Sequence, residues 1–543
     1  MNKKLRALLI TLLAIFIGGF LFVTFFLEGI MRKQLSAKLD DTFQQYYQIS
    51  FEDSRNGLNG LKLNIKLLGV KFTTDTVENP LAAQLPAMFF DTDEFDILGI
   101  HMMDLLFRSK LSIDQIGLKN PQLLMVAPER GTLSLKAPQK GDSNIKDLLK
   151  SLTFKEVIIE GGSGALVYGN NTLDTLYGGD NLSLKGQSLT LDLEKTGGVK
   201  DYMSIDGLVM SLENALFIPR FSPYRFAMNS SKMDLKERKL TNTGVKALPK
   251  RNLYQASVNQ DFRKTIFNIS IDTIDITGLH FKSLLHENMI KAKNIALIQP
   301  DITLFQNMNI PRNEQKEKPV FGELITKIPH HLDIDSVLIA HMNLKYEVLA
   351  KEQTQPATVY FENVNGYFAN FRKNENVADT IYSLLEGKFM GEGDLSLSVD
   401  FPLSAPETQT YSGHISAMSF ESFNPIFASM GKINLKDGKI NNIYFTGKCD
   451  KYHNSGQMIF DYQDLKVEFK NKHDKTKWLK SGIANLLVKN NSHDEKSGDR
   501  HSVNYHYTRP LYIGELGFLV RGLTDGVAQV VMPKAMYNIY KKN

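Results

Sequence analysis

Apolar and polar residues alternate along most of this chain, and one version of the alternation is written four times. LSIDQIGLKNPQLLMV begins at Leu111, LTFKEVIIEGGSGALVY at Leu152, IKAKNIALIQPDITLF at Ile290 and LDIDSVLIAHMNLKYEV at Leu332. In register, the copies share apolar residues at offsets 0, 2, 5, 7 and 14: Leu111, Ile113, Ile116, Leu118 and Met125 in the first, Leu332, Ile334, Val337, Ile339 and Tyr346 in the fourth. A spacing of two marks a strand with one buried face. The phase slips between offsets 2 and 5, where two polar residues follow each other: Asp114-Gln115, Lys155-Glu156, Lys293-Asn294 and Asp335-Ser336. A β-bulge there turns the strand and keeps both apolar pairs on one face. In the first copy Asn120-Pro121 reads as a turn joining two short strands.

Two copies match over a longer range. FDILGIHMMDLLFRSKLSIDQIGLKNPQLLMV (95–126) aligns without a gap to IDITGLHFKSLLHENMIKAKNIALIQPDITLF (274–305), at a constant offset of 179. Gly99, His101, Leu105, Leu106 and Pro121 are identical to Gly278, His280, Leu284, Leu285 and Pro300. The other two stretches lie 180 apart, so the chain reads as a tandem duplication of strand, short helix, bulged strand, turn and strand. The short helices are signalled by Leu105-Leu106, Leu148-Leu149, Leu284-Leu285 and Leu324-Ile325. Alternation continues through 61–72, 181–193, 358–371, 393–403 and 411–420, with turns such as Lys436-Asp437-Gly438 between strands. The expected fold is mainly β: an elongated, repetitive, twisted sheet with short helices.

At the start, residues 7–27 carry no charge over 21 positions, enough for a helix to cross a hydrocarbon core of ~30 Å. The run is longer than a secretory signal's apolar region and reads as an uncleaved anchor. Lys3, Lys4 and Arg6 favour a cytoplasmic N-terminus, and no cysteine follows for lipid attachment. An amphipathic helix is expected next, with Met31, Leu35, Leu39 and Phe43 on one side. The expected divisions are 1–30 (anchor), 31–270 and 271–385 (the two repeat regions), 386–470 (a C-terminal β region) and 471–543 (a helical tail).

Composition changes this picture little. Of 543 residues 42% are apolar and 23% charged, as in ordinary folded chains. The net charge of +5 is spread without a dense basic cluster, which argues against nucleic acid as partner. A single cysteine, Cys449, excludes an internal disulfide and any cysteine-based zinc site.

No arrangement for bond-breaking chemistry emerges, so no enzyme and no cofactor is expected. GGSGA (161–165) lacks the spacing of a nucleophile elbow, and the phosphate-loop and HExxH patterns are absent. DTDEFD (91–96) lacks the sixth-position glycine of a calcium loop and fits an outward strand face, so no metal site is assigned. His101 and His280 occupy equivalent repeat positions, which suggests common ancestry, and His330-His331 reads as a solvated pair.

A sheet with one greasy face either folds into a sandwich with a filled core or curls into a gutter whose inner face stays open. Periodicity alone leaves both readings open. In the gutter, Ile113, Ile116, Leu118, Val157, Ile159, Ile295, Leu297, Val337 and Ile339 line the inside. An acyl chain suits such a surface, at roughly 0.8 kcal/mol per buried methylene.

Further along, the chain carries Gly391 and Gly393, Asn424-Pro425, Ile433 to Gly438, Gly447, Gly456 and Tyr462-Gln463-Asp464-Leu465. With the N-terminal anchor and the bulged repeats, these residues resemble the AsmA-like family, relatives of TamB and of bridge-like lipid transfer proteins. The resemblance covers residues 1–130 and 270–470. It implies a β-taco-like groove held by one span in an inner membrane, with the bulk of the chain in the periplasm. It also implies phospholipid, or another acyl-chain lipid, as cargo moved toward an outer membrane whose integrity depends on it, and an envelope protein as partner at the C-terminal end. The alternative is a non-enzymatic envelope scaffold with a filled core that influences outer-membrane protein assembly.

The tail holds two amphipathic stretches. Residues 475–490 place Trp478 among Lys475, Lys477 and Lys480, which suits either a membrane surface or a cap on the end of the sheet. In 511–531, Ile513, Leu516, Val520, Leu523, Val527 and Val530 mark a further cap or docking helix.

Overall fold

The alternating segments form strands wherever one side can be buried. A computed structural model describes residues 47–74, 87–127, 150–168, 175–192, 203–220, 222–373, 379–427, 433–469, 488–492 and 502–542. The protein is mainly β. Its anchor (7–27), the helix expected at 31–43, Leu148-Leu149 and the basic stretch with Lys475, Lys477, Trp478 and Lys480 lie outside the described residues.

Two compact units can be distinguished. The first comprises Met1–Ser222, Phe226–Asn242 and Phe281–Asn288, and the second Pro223–Arg225, Thr243–His280 and Met289–Asn543.

The first unit begins with β1 (Tyr47–Ser50), β2 (Asp53–Asn59), β3 (Lys62–Thr74) and β4 (Ala87–His101), then helix α1 (Met102–Arg108). It continues through β5 (Lys110–Lys119), β6 (Gln122–Ala127), β7 (Ser151–Tyr168), β8 (Thr175–Asp192), β9 (Met203–Ser204), β10 (Gly207–Phe217) and β11 (Tyr224–Asp234). β1 and β2 both pair with β3, and the ladder runs on through β4, β5 with β6, β7, β8 and β10 to β11. β12 (Lys239–Pro249) spans the division between units.

The second unit contains α2 (Leu253–Val258) and β13 (Ile266–Thr277). α3 (Phe281–His286) follows in sequence but belongs by its contacts to the first unit. Next come β14 (Met289–Asn307), α4 (Phe321–Thr326), β15 (His331–Leu349), β16 (Ala357–Lys373), β17 (Thr380–Phe389), β18 (Gly393–Pro402), β19 (Gln409–Ile415) and β20 (Met418–Ser419). The unit ends with α5 (Asn424–Phe427), β21 (Ile433–Cys449), β22 (His453–Phe469), β23 (Ser502–Thr508), α6 (Glu515–Val531) and α7 (Lys534–Lys542). Its ladder runs from β13 to β19, then through β21 and β22 to β23, with β20 also on β21.

The duplication is visible in topology. β4 lies antiparallel to β5 and β6, these lie parallel to β7, and β7 is antiparallel to β8. β13, β14, β15 and β16 repeat the same pattern. In the parallel ladders Ile116 meets Val157 and Ile295 meets Val337, so like positions of adjacent copies stand side by side. A parallel pair needs a long crossover, supplied between β14 and β15 by residues 308–330.

This corrects the reading of Asn120-Pro121 as a turn. β5 and β6 run in the same direction along β4 and along β7, and the equivalent β14 passes Gln299-Pro300 without a break. Asn120, Gly161, Gln299 and His341, all at offset 9, have φ between 50° and 67°. Each copy therefore kinks at the same place, and in β7 and β15 the ladder to the next strand shifts register there. Buried Thr92 donates its hydroxyl to the carbonyls of Glu94 and Lys119, filling the gap beside the first kink.

The expected irregularity at offsets 3 and 4 is also present, but the antiparallel neighbour carries the unusual backbone. Gly99, Ser188, Gly278 and Asn370, with φ of 70°, 52°, 68° and 71°, stand opposite Asp114, Lys155, Lys293 and Asp335. At Gly278 a Cβ would lie 2.7 Å from the Lys293 Cβ, so close approach as well as conformation demands glycine. Both apolar pairs do end on one face: Leu111, Ile113, Leu152, Phe154 and Val157 join Ile65, Leu67, Ile97 and Ile100 in one core, with Ile116 and Leu118 packed against it.

Lys436-Asp437-Gly438 is likewise not a turn. It lies inside β21, where the register with β22 shifts on both sides of Asp437 and Gly438 takes φ 119°. Glycine and aspartate signal a bulge as readily as a reversal.

Candidate functional site

The apolar face of the repeats is unevenly covered. At offsets 0 and 2, Leu111, Ile113, Leu152, Phe154, Ala292, Leu332 and Ile334 are buried, and Ile290 alone of the eight is half-buried. At offsets 5 and 7, Ile116, Leu118, Ile159, Ile295, Leu297, Val337 and Ile339 are only half-buried, with Val157 the exception. Met125, Leu166, Leu304 and Tyr346 at offset 14 are half-buried too. Short helices sit at the closed end. In the first unit Met102 and Leu105 of α1 pack on the core. In the second, the Phe321 ring of α4 lies tilted against that of Phe401, with centroids 4.7 Å apart, and Ile325 is buried.

Of the nine predicted groove residues, Ile113 and Val157 thus belong to a closed core, while the other seven remain accessible. Within the first unit β5 and β7 bring Ile116 and Leu118 beside Val157 and Ile159, and within the second β14 and β15 bring Ile295 and Leu297 beside Val337 and Ile339. An open concavity of about 800 Å³ in the second unit, lined in part by Arg225, Arg251, Phe305, Glu347 and Leu349, contains none of the nine.

The polar side of the first unit is held by ion pairs. Asp114 accepts from Lys155 Nζ on Oδ1 at 2.5 Å and from Lys62 Nζ on Oδ2 at 2.6 Å, and Oδ1 also lies 3.0 Å from His101 Nε2. Burial alone raises the Asp114 pKa, but the hydrogen bonds from Lys155, Lys62 and His101 outweigh it and hold the carboxyl far below its usual range. A group depressed in this way contributes stability above its unfolded pKa of ~3.9, and the contribution fades as pH falls toward the folded value. Asp114→Asn is therefore expected to cost about 1.5–3 kcal/mol at pH 7. In urea unfolding the difference from the wild type should stay level down to about pH 4 and shrink below it.

Two of the carboxylates of 91–96 are also hydrogen-bonded. Glu94 bonds Lys66 at 2.6 Å, Asp93 accepts from Asn120 Nδ2, and Asp96 stands 3.7 Å from Lys66. Burial raises the Asp96 pKa despite that neighbour. The third copy carries Lys293 at the position of Asp114, opposite Gly278, so the carboxylate that His101 contacts is replaced by a lysine in the copy that holds His280.

The C-terminal glycines have a packing role that hydropathy does not reveal. Gly447 and Gly456 face each other across β21 and β22 and make room for the rings of Tyr411 and Tyr505. The Tyr411 hydroxyl donates to Asn454 Oδ1 at 2.5 Å and lies 2.7 Å from the Tyr505 hydroxyl, which donates to the Thr446 carbonyl. Burial pushes the Tyr505 phenol up to about 12 and the Cys449 thiol also up to about 12. Asn424 brackets Leu435 with two hydrogen bonds, and Tyr462 donates to the Lys489 carbonyl.

The face predicted for the last long helix is partly wrong. Ile513 and Val530 are buried, but Leu516 and Val520 are exposed, and α6 turns Phe518, Gly522, Asp525 and Gly526 inward. Small residues let the helix approach closely: a Cβ at Gly526 would meet Met458 Sδ at 3.1 Å and the Tyr505 ring at 3.2 Å. Apolar periodicity favours leucine and valine over glycine and so points to the wrong side.

No family model matches the chain, and no curated protein matches it. Among the described residues no helix is long and apolar enough to cross a membrane, and no group of three or more His, Cys, Asp or Glu side chains is placed to hold a metal ion.

Proposed function

We propose that the protein binds lipid by its acyl chains along the open rows of its repeats and conveys it without breaking bonds. The observation that carries this reading is the contrast between rows: apolar side chains at offsets 0 and 2 are shut in, Ile290 excepted, while those at offsets 5 and 7 of the same strands, Val157 excepted, stay partly exposed. A contiguous apolar strip left accessible on a folded sheet is a binding surface in want of an occupant. The uncharged run 7–27 supports a single span in an inner membrane, with the rest of the chain in the periplasm and phospholipid as the cargo. The resemblance to AsmA-like proteins supports the same direction, including a role in outer-membrane integrity and an envelope partner at the C-terminal end.

A second reading has one observation in its favour. Ile65, Leu67, Ile97, Ile100 and Phe154 are almost fully buried, as a filled-core scaffold requires. Charge substitution separates the two. In the lipid-binding reading, Ile295→Asp with Leu297→Asp leaves the circular dichroism and melting of the full chain nearly unchanged while co-purifying phospholipid, measured by mass spectrometry, falls severalfold. Unfolding of that variant, or a wild-type chain that carries no lipid and takes up none from vesicles, points to the scaffold.

A further inference from the structure

The segment between β14 and α4 gathers three cationic side chains at one half-buried place in the second unit. Arg263, in the loop before β13, is pinned beneath it: Nε donates to the Ile310 carbonyl at 3.1 Å, Nη2 to that of Met308 at 2.8 Å, and its own N–H to that of Pro311 at 2.8 Å. Arg312 places its guanidinium over the Tyr512 ring, 5.6 Å from the centroid. Lys318 is tied by its backbone, its N–H donating to the Leu511 carbonyl and its own carbonyl accepting from Arg509. All three are half-buried, as is Tyr346 on β15.

Among the described residues none of the three has a carboxylate at ion-pair distance. The nearby acids are otherwise committed: Glu317 pairs with Lys451 at 2.7 Å, and Glu515 bonds the N–H of Phe321 and the side chain of Gln409. Burial lowers the Lys318 pKa first, and the charges that lower it further are Arg312, Arg263 and Lys316. Arg263 is lowered by burial and then by Arg312. Like charges held together away from water are costly unless something of opposite sign sits among them. Two guanidinium groups and an ammonium suit a tetrahedral oxyanion, which arginine grips through paired N–H donors and lysine as a point charge.

We infer that Arg263, Arg312 and Lys318 form an anion site of the phosphate class, beside Tyr346 on the strand that carries Val337 and Ile339. The same chemistry is offered by inorganic phosphate and by a phospholipid headgroup. The anion site stands by itself, whereas its lipid source rests on the groove reading above.

The test uses the full chain in a non-ionic detergent. Three probes are titrated calorimetrically at constant ionic strength set by chloride: inorganic phosphate, dihexanoyl phosphatidylglycerol and the uncharged dihexanoylglycerol. The variants are Arg312→Gln, Lys318→Gln and their combination, with Lys351→Gln as an exposed control of equal charge change, and each is checked by its melting curve. The expected result is a loss of at least about tenfold in affinity for both phosphate-bearing probes in the double variant, with Lys351→Gln unchanged and dihexanoylglycerol binding unaffected. Arg312→Gln, whose side chain makes only a ring contact among the described residues, keeps the test informative where Lys318→Gln fails to fold. Phosphate-bearing probes that bind the double variant as they bind the wild type, or that do not bind the wild type, overturn the site. Binding of inorganic phosphate with neither lipid probe sustains the site and removes the groove. Binding of dihexanoylglycerol and phosphatidylglycerol with equal affinity, indifferent to the variants, does the reverse.

Discussion

Gly456→Val is expected to destabilise the second unit by on the order of 3 kcal/mol. A Cβ at this position would overlap the Thr446 carbonyl oxygen and the Tyr505 hydroxyl, and neither can retreat. The Thr446 oxygen belongs to the β21 backbone, and the Tyr505 ring is fully buried against Gly526 of α6. The side chain must therefore either part β21 from β22 or expel the tyrosine, and each route also breaks the hydrogen bonds among Tyr411, Asn454 and Tyr505. Urea unfolding followed by circular dichroism measures the loss. A variant within about 0.5 kcal/mol of the wild type would mean that the two strands are not packed around those rings.

Arg509→Met should cost about 3 kcal/mol as well, for an electrostatic rather than a steric reason. Arg509 is 3% exposed and serves three carbonyls, those of Ile513 at 2.9 Å, Lys318 at 2.5 Å and Lys451 at 3.4 Å, while its guanidinium lies 5.3 Å from the Phe518 ring centroid. Burial lowers its pKa, and Glu515, Glu323 and Glu317 act in the opposite direction. Methionine fills the volume but leaves the carbonyls without their donor and removes a buried positive charge from beside the acids. Lysine keeps the charge but not the planar fork, so Arg509→Lys should recover less than half of the loss in the same unfolding assay.

Much of the strand content was legible because it depends only on alternation. Alternation predicts strands over 61–72, 358–371 and 393–403, where β3, β16 and β18 lie, with Leu61 and Leu403 just outside. Leu105-Leu106, Leu284-Leu285 and Leu324-Ile325 fall in α1, α3 and α4. Strand direction was not legible. Asn-Pro and Asp-Gly are used for reversals and for bulges alike, and the choice depends on which neighbour is available to pair, a property of the whole sheet. Of the proposed contacts, Ile116 and Leu118 do pack against the core of the first unit, on the face that the spacing implies. That spacing held no information on coverage: nothing in the repeat distinguishes Ile113, sealed under the α1 end, from Ile116 three residues on. The cluster of Arg263, Arg312 and Lys318 is not legible in the sequence because Arg263 stands far from the other two and the total charge is modest.

The matched kinks at offset 9 restrict how such a chain can change over time. Because Gln299-Pro300 lies alongside His341-Met342, a single-residue insertion or deletion in either strand would throw its whole outer half onto the wrong side and spoil its neighbour's fit. Length is free to vary only between strands, in the crossovers, or by gaining and losing entire ribbons. Growth of this architecture is therefore quantised: new sequence enters by copying a complete module, which leaves the kind of internal echo seen between residues 95–126 and 274–305.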